Sequence, residues 1–191
     1  MYRIKNDKRS IQSSQWIFEA LEQLMLEKEY SQIKVVDIAN KANLGRTTFY
    51  RNFDTIDDVL RMKCDEKFQG LTDYFTEYYR SEVSTNKNFF LKPFLRYWYV
   101  NSEIIDLIIK ANRLDIIKDS FKNMINYYKN LVPNNNHKFF HHFNYFVEIR
   151  LSISIGVLTE WIKNNKNIPP DELSEIIISQ LKEPIDLNLF T

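Results

Sequence analysis

The chain has 191 residues, 44% of them hydrophobic, 15% aromatic and 27% charged, with a formal net charge of +1, three glycines and five prolines. So few breakers, with no runs of alternating Val and Thr, argue against a strand-rich fold and predict an all-α one. The single cysteine, Cys64, excludes an internal disulfide and a cysteine-built zinc site and suits a reducing cytoplasm, and no apolar run reaches membrane-spanning length.

The small net charge hides an uneven distribution. Residues 1–53 hold nine Lys/Arg against six Asp/Glu, and the remainder 17 against 19. Four of those cations fall in the first nine residues, which do not read as a signal peptide and are expected to form a flexible basic arm. A first helix is predicted from Ser10 to Lys28, with Ile17, Ala20, Leu21, Leu24 and Met25 on one face. Tyr30 is expected to pack back onto the core. A second helix starting near Lys34 or Val35 lines up Val35, Ile38, Ala39 and Ala42.

Asn43-Leu44-Gly45 then has the length and composition of a helix-turn-helix corner. In the third helix, Arg46 to Phe53, Phe49 and Phe53 lie four apart and point one way. Arg46, Thr47, Thr48, Tyr50 and Arg51 are left facing outward. Guanidinium, hydroxyl and phenol groups on the free side of a short helix suit a major groove flanked by phosphates, with the Lys34 ammonium beside them. A fourth helix is predicted from Ile56 to about Arg80, capped by Thr55, with Asp57 and Asp58 complementing its positive end.

After a break at 84–88, helices are predicted over 89–100, 102–112, 114–131, 137–164 and 170–183. Thirteen aromatic residues fall within 74–128, an unusually aromatic stretch. Most are expected in the core, and a few are expected to line a cavity. His137 and His141 are four apart and could share a helix face, but the fourth positions on from His141 and His142 are Tyr145 and Phe146, and no metal site is expected. The 137–164 helix is apolar on two sides and so needs two partners, its own core and a second copy of the chain. Gly156, near its middle, would let a neighbouring helix come close.

From Ile17 to Leu60 the sequence resembles the DNA-binding domain of TetR/AcrR-type transcriptional regulators. The resemblance is carried by Ile17-Phe18, Ala20-Leu21, Leu24-Met25, Tyr30, Asp37-Ile38-Ala39, Ala42, Leu44, Thr48-Phe49-Tyr50-Arg51, Phe53 and Val59-Leu60. It implies an amino-terminal three-helix helix-turn-helix domain over 1–55, including the arm 1–9, and a helical effector-binding and dimerisation domain over 56–191, about nine helices in all. The implied function is a ligand-responsive regulator, usually a repressor, binding a palindromic double-stranded operator as a homodimer through Lys34, Arg46, Thr47, Thr48, Tyr50 and Arg51. The implied effector is small and apolar or aromatic, in a pocket assigned to Tyr78, Phe94, Trp98, Phe121, Tyr128 and His141. The last two long helices would pack into a four-helix bundle through Phe146, Val147, Arg150, Ser154, Val157, Trp161, Ile177 and Leu181.

The chain departs from the family pattern at several positions. Glu29 stands where a glycine usually ends the first helix, Lys34 and Gly45 where a hydroxyl side chain is common, Asn43 at the turn glycine, and Ile56 at a lysine. These changes leave open an activator or coactivator acting mainly through protein partners. No glycine-rich phosphate loop and no nucleophile–base spacing point to an enzyme, and no cofactor is implied.

Overall fold

The computed structural model describes residues 1–81, 90–131 and 142–182. Among them are nine α-helices and no strand: α1 Lys8–Glu27, α2 Val35–Lys41, α3 Arg46–Asn52, α4 Ile56–Ser81, α5 Leu91–Asn101, α6 Glu103–Lys110, α7 Leu114–Leu131, α8 Phe143–Lys163 and α9 Pro170–Lys182. The all-α expectation is met. His141 lies outside the described residues, as does the side chain of Tyr128.

Helix α1 starts two residues earlier than the sequence predicts because Asp7 caps it, its carboxylate accepting the Ser10 N–H at 2.9 Å. Its exit needs no left-handed residue. Lys28 is extended, Glu29 sits at φ −58°, and one 3₁₀ turn, Tyr30–Gln32, delivers the chain to α2. The glycine common at this point in the family is therefore dispensable here. The Tyr30 hydroxyl donates to Asp57 at 2.6 Å, so its ring packs on the core while its tip ties this exit to α4. Asn43 takes the left-handed turn at φ 53°, a conformation Asn accepts more readily than most residues.

Helices α1 to α3 close over Ile17, Leu21, Ile38, Phe49 and Phe53, each at most 1% exposed. Thr55 and Asp58 cap α4 reciprocally: the Asp58 N–H reaches the Thr55 hydroxyl at 3.3 Å, and the Thr55 N–H reaches the Asp58 carboxylate at 3.0 Å. Val59, Leu60 and Cys64 at the start of α4 join the core of the first three helices, and Phe68, Leu71 and Phe75 continue it into the α5–α7 layer. Ion pairs bridge the same junction, from Arg113 to Asp57 and from Arg61 to Asp119. Helix α4 thus belongs mechanically to both ends of the molecule.

The first residues are not a free arm. Tyr2 pairs with Phe53 in an antiparallel bridge, and the Arg3 N–H donates to the Asn52 carbonyl at 2.8 Å. The Arg3 guanidinium pairs with Asp54, and the Tyr2 hydroxyl donates to Asp65 of α4 at 2.8 Å. This segment therefore straps the end of α3 to α4.

Candidate nucleic-acid interface

Helix α3 has one buried and one open side. Phe49 and Asn52 are 1% exposed, and Phe53 just beyond the helix is equally buried. Asn52 is held by Ser10, whose hydroxyl donates to Oδ1 at 2.9 Å, and by Ser13, whose hydroxyl accepts from Nδ2 at 3.0 Å. A buried amide satisfied on both atoms fixes the rotation of α3 against α1. With that side fixed, Arg46, Thr47, Tyr50 and Arg51 are exposed and Thr48 is half-buried at the edge.

The electrostatics of this face differ from those of its surroundings. Lys28 is paired with Asp37, Lys41 with Glu27 and Arg3 with Asp54. Among the described residues, Arg46, Arg51 and Lys34 make no ion pair. Lys34 stands exposed at the start of α2, where the Asp37 carboxylate accepts the Lys34 N–H at 2.9 Å. Hydrogen bonds from Lys28 and from that N–H hold the Asp37 carboxyl below its ordinary range, so it stays ionised and occupied with α2. Of the basic strap, Arg3 is committed to Asp54, while Lys5, Lys8 and Arg9 stay exposed.

Gly45 caps α3 with an extended backbone and no side-chain hydrogen bond. Of the six residues expected to meet DNA, Lys34 is exposed at the start of α2, Arg46, Thr47, Tyr50 and Arg51 are exposed on α3, and Thr48 is half-buried at its edge.

The expected pocket residues fall elsewhere. Phe94, Trp98 and Phe121 are at most 1% exposed and pack ring on ring, Phe94 to Phe121 at 5.5 Å and Phe68 to both Trp98 and Phe121 at 5.2 and 5.4 Å. In this structure they fill the core. The Trp98 indole N–H nonetheless has no hydrogen-bond partner among the described residues. The Tyr78 ring lies tilted against Tyr74, centroids 6.2 Å apart, and is half-buried. A groove of about 250 Å³ opens instead where Tyr2 meets α4 and α7. It was not visible in the sequence because its walls meet only once the strap folds back.

The expected dimer face divides. Val147, Ser154, Trp161 and Ile177 are buried within the subunit, and the Trp161 N–H donates to the Ile168 carbonyl at 2.9 Å. Phe146, Arg150 and Leu181 are exposed and Val157 is half-buried. The open apolar stripe of α8 runs instead through Tyr145, Ile149 and Gly156, the first two 74% and 58% exposed, and Ile176 of α9 is 42% exposed. Inward and outward apolar stripes both exist on α8, and periodicity alone does not say which faces its own core.

Comparison with solved structures places this architecture. Lin0861 from Listeria innocua matches with a TM-score of 0.72 at 20% identity, covering 94% of each chain. The fatty acid degradation regulator FadR from Bacillus halodurans matches with a TM-score of 0.54 at 17% identity, covering 91% of this chain and 94% of its own. A TetR/AcrR-family transcriptional regulator from Aquifex aeolicus matches with a TM-score of 0.47 at 20% identity, covering 89% of this chain and 98% of its own. No family model matches the sequence, and no curated protein does.

Proposed function

We propose that this chain, which has the fold of the TetR-type regulators, is a DNA-binding transcriptional regulator acting as a homodimer, with α3 as the helix that enters the major groove. Residues 1–55 form the reader, and 56–191 form the unit that dimerises and senses a small effector. The supporting observation is the outer face of α3: a helix locked in rotation by buried Phe49 and Asn52 holds Arg46 and Arg51 outward, without carboxylate partners among the described residues. Cations with no ion pair among the described residues are available to phosphates without first breaking such a bridge. Arg46 can also read a guanine edge, Tyr50 offers a hydroxyl to a phosphate, and Thr47 and Thr48 lie within reach of bases or backbone.

Dimerisation is supported by the open stripe on α8. A helical glycine costs about 1 kcal/mol relative to alanine. A Cβ at Gly156 would meet nothing within 4 Å, so nothing among the described residues requires the glycine. An exposed glycine between Ile149 and α9 lets the same helix of a second copy approach closely. Two readers held in this way bind half-sites about 34–36 Å apart, or a multiple of that. A repressor results if the effector favours a separation that does not fit this spacing.

The test begins with selection of duplexes from a random pool by the purified chain. Binding of the selected duplex is then measured against salt. Binding should fall steeply with salt, and Arg46→Ala and Arg51→Ala should each lower the slope of log K against log salt by about 1. Circular dichroism of both variants should be unchanged, because neither side chain is packed. Failure to enrich any duplex, or a salt-independent interaction, would favour a regulator acting through protein partners instead.

A further inference from the structure

The groove at the strap has a definite chemistry. Its centre is Asp65 of α4, whose two carboxylate oxygens accept separate hydroxyls, Tyr2 at 2.8 Å and Ser120 of α7 at 2.6 Å. Phe68 and Met124, 3% and 7% exposed, form its apolar base. The Gln69 and Asn123 amides stand at its edge. Among the described residues no lysine or arginine lines it, and Arg61, one turn earlier on α4, is bonded to Asp119 at 2.9 Å. The described lining therefore carries a carboxylate and no compensating cation. Such a site disfavours an anion and favours an ammonium, whose three N–H donors can engage both Asp65 oxygens and an amide carbonyl. The volume lies just under the usual range for ligand pockets, about 300–1,000 Å³, and limits the occupant to a small molecule.

Tyr2 is the displaceable part of this arrangement. Ser120 is 2% exposed and fixed within α7, whereas Tyr2 is half-buried on a strap held by one bridge, a few hydrogen bonds and the ion pairs of the Met1 ammonium with Asp54 and Asp58 and of Arg3 with Asp54. The same strap grips Asn52 and Phe53 at the end of α3. We infer that the groove between Tyr2, α4 and α7 binds a small primary amine with an apolar or aromatic body, and that the amine displaces the Tyr2 hydroxyl from Asp65 and releases the strap from α3. The DNA consequence rests on the regulator reading; the binding of the amine does not.

The full chain is titrated with benzylamine, and with benzoate as a probe of similar size and opposite charge, by calorimetry or saturation-transfer NMR. For eight heavy atoms, affinity on the order of millimolar is expected. Asp65→Asn should weaken benzylamine about tenfold, the value of a charge-assisted hydrogen bond. Tyr2→Phe, which keeps the ring and removes the competing hydroxyl, should strengthen it several-fold. Benzylamine should weaken binding of the selected duplex by the wild type and have little effect on Tyr2→Phe. Benzoate binding as well as benzylamine, no benzylamine binding at about 10 mM, or affinity indifferent to Asp65→Asn would overturn the inference. If Asp65→Asn fails to fold, Tyr2→Phe decides, and an unchanged or weaker affinity overturns it. Duplex binding by the ligand-free protein, measured in the same series, judges the regulator reading separately.

Discussion

At the scale of single residues, Gly45 gives the sharpest test of the reader. Its φ of −72° is open to any L-residue, and an added Cβ would meet only the Thr47 hydroxyl, at an ordinary 3.5 Å. Gly45→Ser should therefore stabilise the protein by about 0.5–1 kcal/mol, from the new cap and a less free unfolded chain. It should also tighten duplex binding if the new hydroxyl touches a phosphate. Denaturant unfolding and a binding titration check the two effects independently. The Arg46 face was readable from sequence because a short helix with Phe49 and Phe53 on one side leaves no choice for the other. The Tyr2 strap was missed, although Tyr2 and Ile4 alternate with Arg3 and Lys5 as a strand would. Both half-bury against the core, a period-2 signal masked by the charges between them.

At the scale of elements, α4 joins the reader to the rest, and its own fit to α5 is tight. Gly70 lies against Tyr97: a Cβ there would stand 2.7 Å from the Tyr97 hydroxyl oxygen, which donates to the Lys67 carbonyl at 2.6 Å. Gly70→Ala should destabilise the protein by about 1 kcal/mol, overpacking outweighing the gain in helix propensity. Adding Tyr97→Phe should recover most of the loss, which thermal unfolding of the two variants will show. Such fits were not legible in the sequence, because which turn of α4 meets which turn of α5 depends on a crossing no periodicity fixes. The same limit explains α8, where Val147, Ser154 and Trp161 face inward and Tyr145, Ile149 and Gly156 outward. Gly156 was the one position that could have chosen the phase.

The first turn of α9 docks on α5 through Asp171. The Arg96 guanidinium grips this carboxylate at 2.7 and 2.6 Å, with Lys92 at 3.1 Å. These partners hold the Asp171 carboxyl below its ordinary range, the Arg96 hydrogen bonds first, and Arg113 does the same for Asp115. A depressed folded-state pKa stabilises the fold above the unfolded value, about 4, and that stability is lost as pH falls through the folded value. The thermal midpoint should therefore be flat above about pH 5 and drop below about pH 4. Asp171→Asn should show a shallower drop, starting from a lower midpoint.

At the scale of the whole molecule, the two-copy arrangement is what turns one short helix into an operator reader. Ile149 is 58% exposed, so Ile149→Asp leaves the subunit core intact while placing charge in the proposed interface. It should yield folded monomers by sedimentation, with duplex binding weakened far more than by Arg46→Ala or Arg51→Ala alone. A dimer surviving this change would place the interface elsewhere.

The most direct measurement is a hydroxyl-radical footprint of the wild type on the selected duplex. Two protected patches should appear on one face, separated by about 10–10.5 base pairs or a multiple of that. Both should disappear together in the Arg46→Ala, Arg51→Ala double variant. A single patch, or protection that survives the loss of both arginines, would contradict the account.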